Sequence, residues 1–142
     1  MYRRFLQIGT ISGALAVIIG AFGAHTLKPM MSPDTINTFE TGVRYQFYHT
    51  FALLLAAILY RRSPFKSLEW AGIFFISGII LFSGSLYALS ILDISGAVGL
   101  GGIGAITPLG GACFIAGWIS LFMGVRKSSH GSRNSSGNQK SE

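Results

Sequence analysis

Residues 5–27, FLQIGTISGALAVIIGAFGAHTL, carry no charged side chain and lie between Arg4 and Lys28. A helix needs about 20 apolar residues to cross a hydrocarbon core about 30 Å thick. These 23 residues therefore have the length of one membrane span. The apolar core of a secretory signal peptide is shorter, at about 7 to 15 residues. We interpret the stretch as a retained transmembrane helix.

The remainder of the chain is also poor in charge. Charged residues make up 11% of the 142 positions, half of the residues are hydrophobic, and the mean hydropathy is +0.53. A soluble domain carries about 25% charged residues, which it needs to cover a surface facing water. The composition disfavours a soluble globule, a disordered chain and a nucleic-acid-binding domain, so no nucleic acid partner is expected. The single cysteine, Cys113, excludes an intramolecular disulfide.

Three further uncharged stretches follow along the chain, at residues 45–60, 70–92 and 94–125. The first of them covers only about 24 Å as a helix, so the second span must extend back through Arg44. Pro33 and Asp34 indicate a helix start upstream of it, near Asp34. Residues 96–104 are rich in glycine and are interpreted as a loop. The pattern predicts an all-α membrane protein, a bundle of four transmembrane helices within residues 1–125, with spans at about 5–27, 42–60, 70–92 and 103–125.

The cations indicate the orientation. Four spans place nine of the eleven Lys and Arg residues on one side, leaving only Lys28 and Arg44 on the other. The positive-inside rule makes the first side cytoplasmic, so both termini are predicted to be cytoplasmic. Residues 126–142 are polar and basic, and we predict a disordered tail there.

Small residues recur at four-residue intervals on two of the predicted helices. They are Ser12, Ala16, Gly20 and Ala24 on the first, and Ala112, Ala116, Ser120 and Gly124 on the last. Small residues let helices approach closely in lipid. The spacing leaves open whether the partner helix belongs to the same chain or to a neighbouring subunit. Membrane lipid is an expected partner of the protein. The small-residue stripes also allow a homo-oligomer or a complex with a partner membrane protein.

Polar residues of the second span are the first candidates for function. Arg44 either extends its side chain to the headgroups or faces inward as a functional cation. Glu40 lies one helical turn before it, in the favourable order for an ion pair. His49 is placed near the middle of the membrane, where it either makes a neutral interhelical hydrogen bond or relays protons. Cys113 lies at a similar depth, but a lone cysteine in an apolar helix usually serves packing.

A formal GxGxxG pattern at Gly99, Gly101 and Gly104 lacks the preceding strand and following acidic residue of a dinucleotide site. His25 ends the first span at the outer surface, too far from His49 for both to bind one metal ion. No catalytic residue, metal or cofactor is predicted.

Several blocks of sequence resemble the domain of unknown function 423 family of small four-span membrane proteins. The blocks are Gly20–His25, Phe39–His49, Leu81–Tyr87, Ile106–Gly111 and Ala116–Trp118. The resemblance covers about residues 1 to 125, and the blocks follow one another in this order. The resemblance implies a four-helix protein of the bacterial cell (inner) membrane and implies no activity. The polar residues within these blocks complete the set of candidate intramembrane or ligand residues: Arg44, Tyr48, His49, Ser83, Ser85, His25 and Glu40.

The sequence therefore predicts an integral membrane protein without an assigned molecular function. A non-enzymatic membrane component that binds a partner helix, a subunit or a lipid is the leading hypothesis. The alternative is a small transporter or conductance that uses Arg44 and His49.

Overall fold

The computed structural model describes residues 1–96 and 101–137, and it describes side chains within 1–96 and 102–127. The described residues form only helices and their connecting turns. The helices are α1 (Tyr2–Phe22), α2 (Pro33–Arg62), α3 (Lys66–Gly78), α4 (Gly84–Ile94), α5 (Gly101–Gly104) and α6 (Ile106–Gly137). This confirms the all-α prediction.

Two turns of π-helix lengthen these elements. The first, Gly23–Leu27, continues α1, and a 3₁₀ turn at Lys28–Met30 follows it. The second, Ile79–Ser83, joins α3 to α4 in one continuous helix, Lys66–Ile94, which we name α3–α4.

Within residues 1–96 and 101–137, three helical segments are long and apolar enough to cross a membrane: Tyr2–Met30, Lys66–Ile94 and Gly102–Lys127. They coincide with the first, third and fourth predicted spans. Helix α2 has 30 residues, or about 45 Å, but is not among them. Arg44, Gln46 and His49 lower its hydropathy. The second of the four predicted spans, at residues 42–60 in α2, is therefore not confirmed by its composition.

Helix α2 begins at the position that its sequence predicts. Ser32 is the N-cap residue, and its Oγ accepts a hydrogen bond from the backbone N–H of Thr35 at 3.2 Å. Pro33 occupies the first helical position and Asp34 lies in the first turn, where a negative charge interacts favourably with the helix dipole. The helix continues from there without interruption through the predicted second span.

The interpretation of residues 96–104 as a loop is wrong in part. Gly96 adopts a positive φ of 71° and ends α4 in a turn, but Gly101–Gly104 forms a helical turn, α5. Even one helical turn pairs some backbone polar groups within the segment, which an extended loop would leave unpaired. Gly99 lies within residues 97–100, outside the described residues. Helix α6 runs past the predicted end of the last span to Gly137, and the disordered tail at 126–142 stays a prediction.

Helices α1 and α2 pack against each other in antiparallel order. Gly9 faces Leu54, Gly13 faces Thr50, and Gly20 faces Val43; a Cβ atom at Gly9 would lie 2.6 Å from Leu54 Cδ2. Ser12 and Ala16 are buried, whereas Ala24 at the end of the predicted stripe is exposed. The small residues of α1 thus bring together two helices of one chain.

Helices α3–α4 and α6 pack through a set of residues that shares only Gly124 with the predicted stripe. Leu68 lies on Gly124, Phe75 on Gly117 and Phe82 on Gly110, so each contact lies seven residues from the next on both helices. A seven-residue repeat is typical of antiparallel helices that cross at about 20°. Ala112, which the four-residue stripe predicted at the interface, is exposed. The four-residue spacing drifts off the contact line of such a pair, and the seven-residue spacing follows it.

All four long helices contribute to the core. Its buried side chains are Phe5, Ala52, Leu53, Ala56, Ala57, Leu68, Ala71, Phe75, Phe114 and Leu121. Phe5 of α1 crosses to α3, where a Cβ atom at Gly72 would lie 2.6 Å from the Phe5 ring. Helix α2 packs on α1 and on α3–α4, and α3–α4 packs in turn on α6.

We expect Gly117→Ala to destabilise the protein by about 1 to 3 kcal/mol, because the new Cβ would lie 2.7 Å from the Phe75 ring. The measurement is unfolding in a denaturing detergent, followed by circular dichroism. Gly84→Ala is the matched control, since a Cβ at Gly84 meets no atom within 4 Å. Equal stability of the two variants would contradict the glycine contact.

Candidate functional site

The seven candidate residues do not converge on one cavity. His25, Glu40, Arg44 and Tyr48 are exposed. His49, Ser83 and Ser85 are buried, at 6%, 0% and 5% exposure. Tyr48 projects from α2 with 58% of its surface exposed, away from the interior position of His49. The structure therefore separates an interior set of polar residues from an outer set.

His49 lies in an aromatic cage at the centre of the bundle. Its ring stacks on Phe114 at a centroid distance of 3.4 Å, and the rings of Tyr45 and Phe75 lie within 6 Å. Its Nδ1 lies 2.8 Å from the Tyr45 carbonyl oxygen, and the indole N–H of Trp118 donates to its Nε2 at 3.3 Å. A carbonyl oxygen only accepts and an indole N–H only donates. Both contacts are satisfied by a neutral imidazole that carries its proton on Nδ1.

Gln46 connects three helices. Its Nε2 donates to the Ser12 carbonyl of α1 at 2.9 Å, and its Oε1 accepts from the Tyr87 hydroxyl of α4 at 2.8 Å. One helical turn further along α2, the hydroxyls of Thr50 and Ser12 are 2.9 Å apart. Because unsatisfied polar groups are costly in a membrane interior, such bonds hold helices together.

The two buried serines of α3–α4 have different partners. The Ser85 hydroxyl lies 2.7 Å from the Thr107 hydroxyl of α6 and 2.9 Å from the Phe82 carbonyl oxygen. Ser83 Oγ is buried without a hydrogen-bond partner among the described residues. Ser85 thus joins two helices, whereas the contacts of Ser83 are those of packing.

A cleft opens between the end of α1 and the first half of α2. It lies at the end of the bundle that the sequence assigns to the outer side of the membrane, which we call the outer end. The volume of the cleft is about 190 Å³. Both cations that the sequence assigns to the outer side line it, together with one carboxylate and apolar side chains: Gly20, Gly23, Ala24, Lys28, Met31, Ile36, Phe39, Glu40, Val43 and Arg44. The cleft therefore combines an apolar wall with three charged groups.

Glycines allow the walls of the cleft to meet at its base. A Cβ atom at Gly23 would overlap the Phe39 ring, and one at Gly20 would lie 3.2 Å from Val43 Cγ1. Gly23 also begins the π turn, beyond which Lys28 stands on the opposite wall from Arg44. The local backbone of α1 thus positions Lys28 across from α2.

The charges that line the cleft do not neutralise each other. Arg44 Nε donates to the Glu40 main-chain carbonyl and Nη2 to the Thr41 hydroxyl, both at 3.3 Å. Among the described residues, Lys28, Glu40 and Arg44 make no ion pair within 4.0 Å. The Glu40–Arg44 pair that the sequence suggests is thus a contact with the Glu40 backbone, and the carboxylate stays available.

A hydrogen bond at the outer end fixes the start of α2. Thr35 donates from its hydroxyl to the Asp93 carboxylate at the end of α4, and its Oγ1 lies 2.7 Å from Ser32 Oγ. This contact ties the α2 wall of the cleft to the rest of the bundle.

The set of seven candidate residues omits three residues that matter in the structure: Lys28, Gln46 and Trp118. Gln46 and Trp118 were visible as polar groups within apolar helices, where an amide or an indole N–H needs a partner. Lys28 was visible as one of two outer cations. Within the described residues, no group of three His, Cys, Asp or Glu side chains could hold a metal ion.

Trp118→Phe should lower the free energy of unfolding by about 1 kcal/mol, because it removes the N–H that His49 Nε2 accepts. Detergent unfolding measures the change. Trp70→Phe is the control, since both tryptophans are about half exposed and the Trp70 indole is on the surface. An equal effect of both substitutions would contradict a role for the Trp118–His49 bond.

Comparison with known proteins places the chain among membrane proteins. Residues 19–111 match a family described as a protein of unknown function (DUF423). "UPF0382 membrane protein YwdK" of Bacillus subtilis (strain 168) is 42% identical over 87% of this chain and 96% of its own length. "UPF0382 membrane protein SAB0533" of Staphylococcus aureus is 38% identical over 88% of this chain and 97% of its own.

"UPF0382 inner membrane protein YgdD" of Escherichia coli (strain K12) is 38% identical, over 88% of this chain and 92% of its own length. No solved structure matches the chain. The family match and the relatives, together with three helices able to cross a bilayer, confirm the family resemblance and the membrane location. The chain belongs to the DUF423 family and is a bacterial membrane protein.

Proposed function

We propose that this protein is a non-enzymatic, four-span membrane component that binds a phospholipid headgroup in the outer cleft. The observation that carries the proposal is that both outer cations, Lys28 and Arg44, line one cleft with an apolar wall. Phospholipids present an anionic phosphate beside apolar chains at the same level of the membrane.

The packing of α2 supports its crossing the membrane as the second of four spans. Its residues from Val43 to Leu54 lie beside α1 from Gly20 to Gly9, in antiparallel order. Helix α1 is apolar and long enough to span, so a helix packed along it passes through the same hydrocarbon layer. Phe51, Leu55 and Ile58 of α2 are about half exposed, which suits a surface that faces lipid.

The charge distribution supports cytoplasmic ends for the membrane domain. Arg3, Arg61 and Lys66 belong to helix ends that meet at one face of the bundle, where the Arg61 guanidinium lies 5.9 Å from the Tyr2 ring. Arg126 lies at the same level, two residues after Gly124, which packs on Leu68 near the start of α3. The opposite end holds only two cations, Lys28 and Arg44, among the described residues. The positive-inside rule assigns the first end to the cytoplasm.

The distance along α2 supports a position of the cleft near the outer boundary of the hydrocarbon. Arg44 lies 18 residues before Arg62, or about 27 Å, and the hydrocarbon core is about 30 Å thick. A guanidinium at this level reaches phosphate oxygens without crossing apolar space, and Arg binds phosphate through paired N–H donors. Lys28 supplies a second cation from the facing wall.

The alternative of a small transporter that uses Arg44 and His49 has less support. His49 is enclosed by aromatic rings and both of its ring nitrogens have partners, while Arg44 is exposed at the outer end. Association with a second copy or a partner helix also has less support than lipid binding. Ser12 and Ala16 of the α1 stripe are already buried within the chain.

The topology predicts that the two ends of α2 are accessible from opposite sides of the membrane. In a protein with Cys113→Ser, we expect Met30→Cys to react with a membrane-impermeant maleimide added to spheroplasts. Pro64→Cys should react only after the membrane is opened. Both residues are exposed. If α2 did not cross, the two cysteines would react on the same side, and the four-span proposal would fail.

Lipid binding is tested with Lys28→Gln combined with Arg44→Gln. Native mass spectrometry of detergent-solubilised protein with added dioleoyl phospholipids should show lipid binding weakened by about a hundredfold or more, since each of the two charged hydrogen bonds to phosphate contributes roughly 1.5 to 3 kcal/mol. Both side chains are exposed and the described contacts of Arg44 lie within α2, so the fold should persist.

The matched control is Arg62→Gln with Lys66→Gln, which removes one Arg and one Lys at the other end of the bundle. This variant should keep the lipid occupancy of the wild type. Equal occupancy in wild type and the Lys28, Arg44 variant would refute the proposed function.

A further inference from the structure

We infer that the cleft selects a zwitterionic phospholipid whose headgroup carries a primary ammonium beside the phosphate, with Glu40 as the ammonium-binding residue. This inference rests on the proposed function and specifies the class of lipid. It follows from the three charged groups that line the cleft, Lys28, Glu40 and Arg44.

Each charged group of the headgroup has a group of opposite charge in the cleft: Lys28 and Arg44 for the phosphate, and Glu40 for the ammonium. Two cations on facing walls suit one phosphate, which offers several acceptor oxygens. A carboxylate in the same cleft would repel a purely anionic headgroup, and it attracts a cation placed next to the phosphate. Glu40 precedes Arg44 by one helical turn, so a ligand held at Arg44 places its neighbouring group near Glu40.

The Glu40 carboxylate has no ion-pair partner among the described residues. Arg44 contacts the Glu40 backbone carbonyl, and the carboxylate makes no ion pair within 4.0 Å among the described residues. A carboxylate accepts hydrogen bonds only, so its natural partner is an N–H donor. A primary ammonium has three such donors, whereas a quaternary choline nitrogen has none.

The size of the cleft suits a headgroup with the acyl chains outside. Its volume of about 190 Å³ is below the roughly 300 to 1,000 Å³ of pockets that enclose drug-sized ligands. Ala24, Ile36 and Val43 line the apolar wall, which suits the ester region and first methylenes of a lipid. The chains then follow the exposed apolar surface of the bundle into the bilayer.

Selectivity is measured by native mass spectrometry with an equimolar mixture of dioleoyl-phosphatidylethanolamine, dioleoyl-phosphatidylglycerol and dioleoyl-phosphatidylcholine. The wild type should bind the ethanolamine lipid about tenfold more than either of the others. Glu40→Gln should lose this preference through weaker binding of the ethanolamine lipid and stronger binding of the glycerol lipid. Added inorganic phosphate should not displace the lipid.

Asp34→Asn is the matched control. Asp34 is also an exposed carboxylate at the outer end of α2, but it lines a separate cavity with Thr35 and Asp93. This variant should keep the wild-type preference. Absence of a preference in the wild type, an unchanged preference in Glu40→Gln, or displacement by inorganic phosphate would overturn the inference.

The two proposals fail in distinguishable ways. Binding that depends on Lys28 and Arg44 but shows no ethanolamine preference would refute the role of Glu40 and leave lipid binding in place. Binding that is independent of Lys28 and Arg44 would refute the proposed function itself.

Discussion

Close approach of helix backbones at glycines is the constraint on which this fold depends. Lipid tails are as apolar as the helix surfaces, so burying those surfaces against each other gains little hydrophobic free energy, and van der Waals packing must hold the bundle together. Gly9, Gly72 and Gly117 each receive a large side chain, from Leu54, Phe5 and Phe75 respectively. Each of these contacts joins a different pair of helices, and together they connect the bundle.

Hydrogen bonds between polar side chains in the interior add to this packing. They leave Gln46 and His49 with their hydrogen-bonding atoms already paired. Gln46 binds α1 and α4 at once, and His49 receives the indole N–H of Trp118 within its aromatic cage. Groups satisfied in this way are poorly placed to bind a substrate. The charged groups that remain available lie at the outer rim, where the π turn of α1 and the first half of α2 diverge to form the cleft.

The lengths of the uncharged stretches predicted the helices well, because the cost of placing charge in hydrocarbon limits where charged residues can occur. Helix pairing was less predictable. The sequence has many small residues at several spacings, and only the crossing of two helices decides that Gly110, Gly117 and Gly124 lie on the contact line while Ala112 does not. The candidate site was predictable in its parts. Arg44 and Glu40 were visible on α2, but their meeting with Lys28 depends on how α1 ends.

The π turn at Ile79–Ser83 makes the third long helix sensitive to its residue count. A π turn holds more residues than an α turn, so the side chains of α4 are rotated about the helix axis relative to those of α3. Ser85 meets Thr107 and Tyr87 meets Gln46 only after this rotation, while Phe75 meets Gly117 before it. Loss of one residue here would turn the outer half of the helix by about 100° and separate both outer contacts. The segment is therefore a place where insertions and deletions are far more harmful than substitutions.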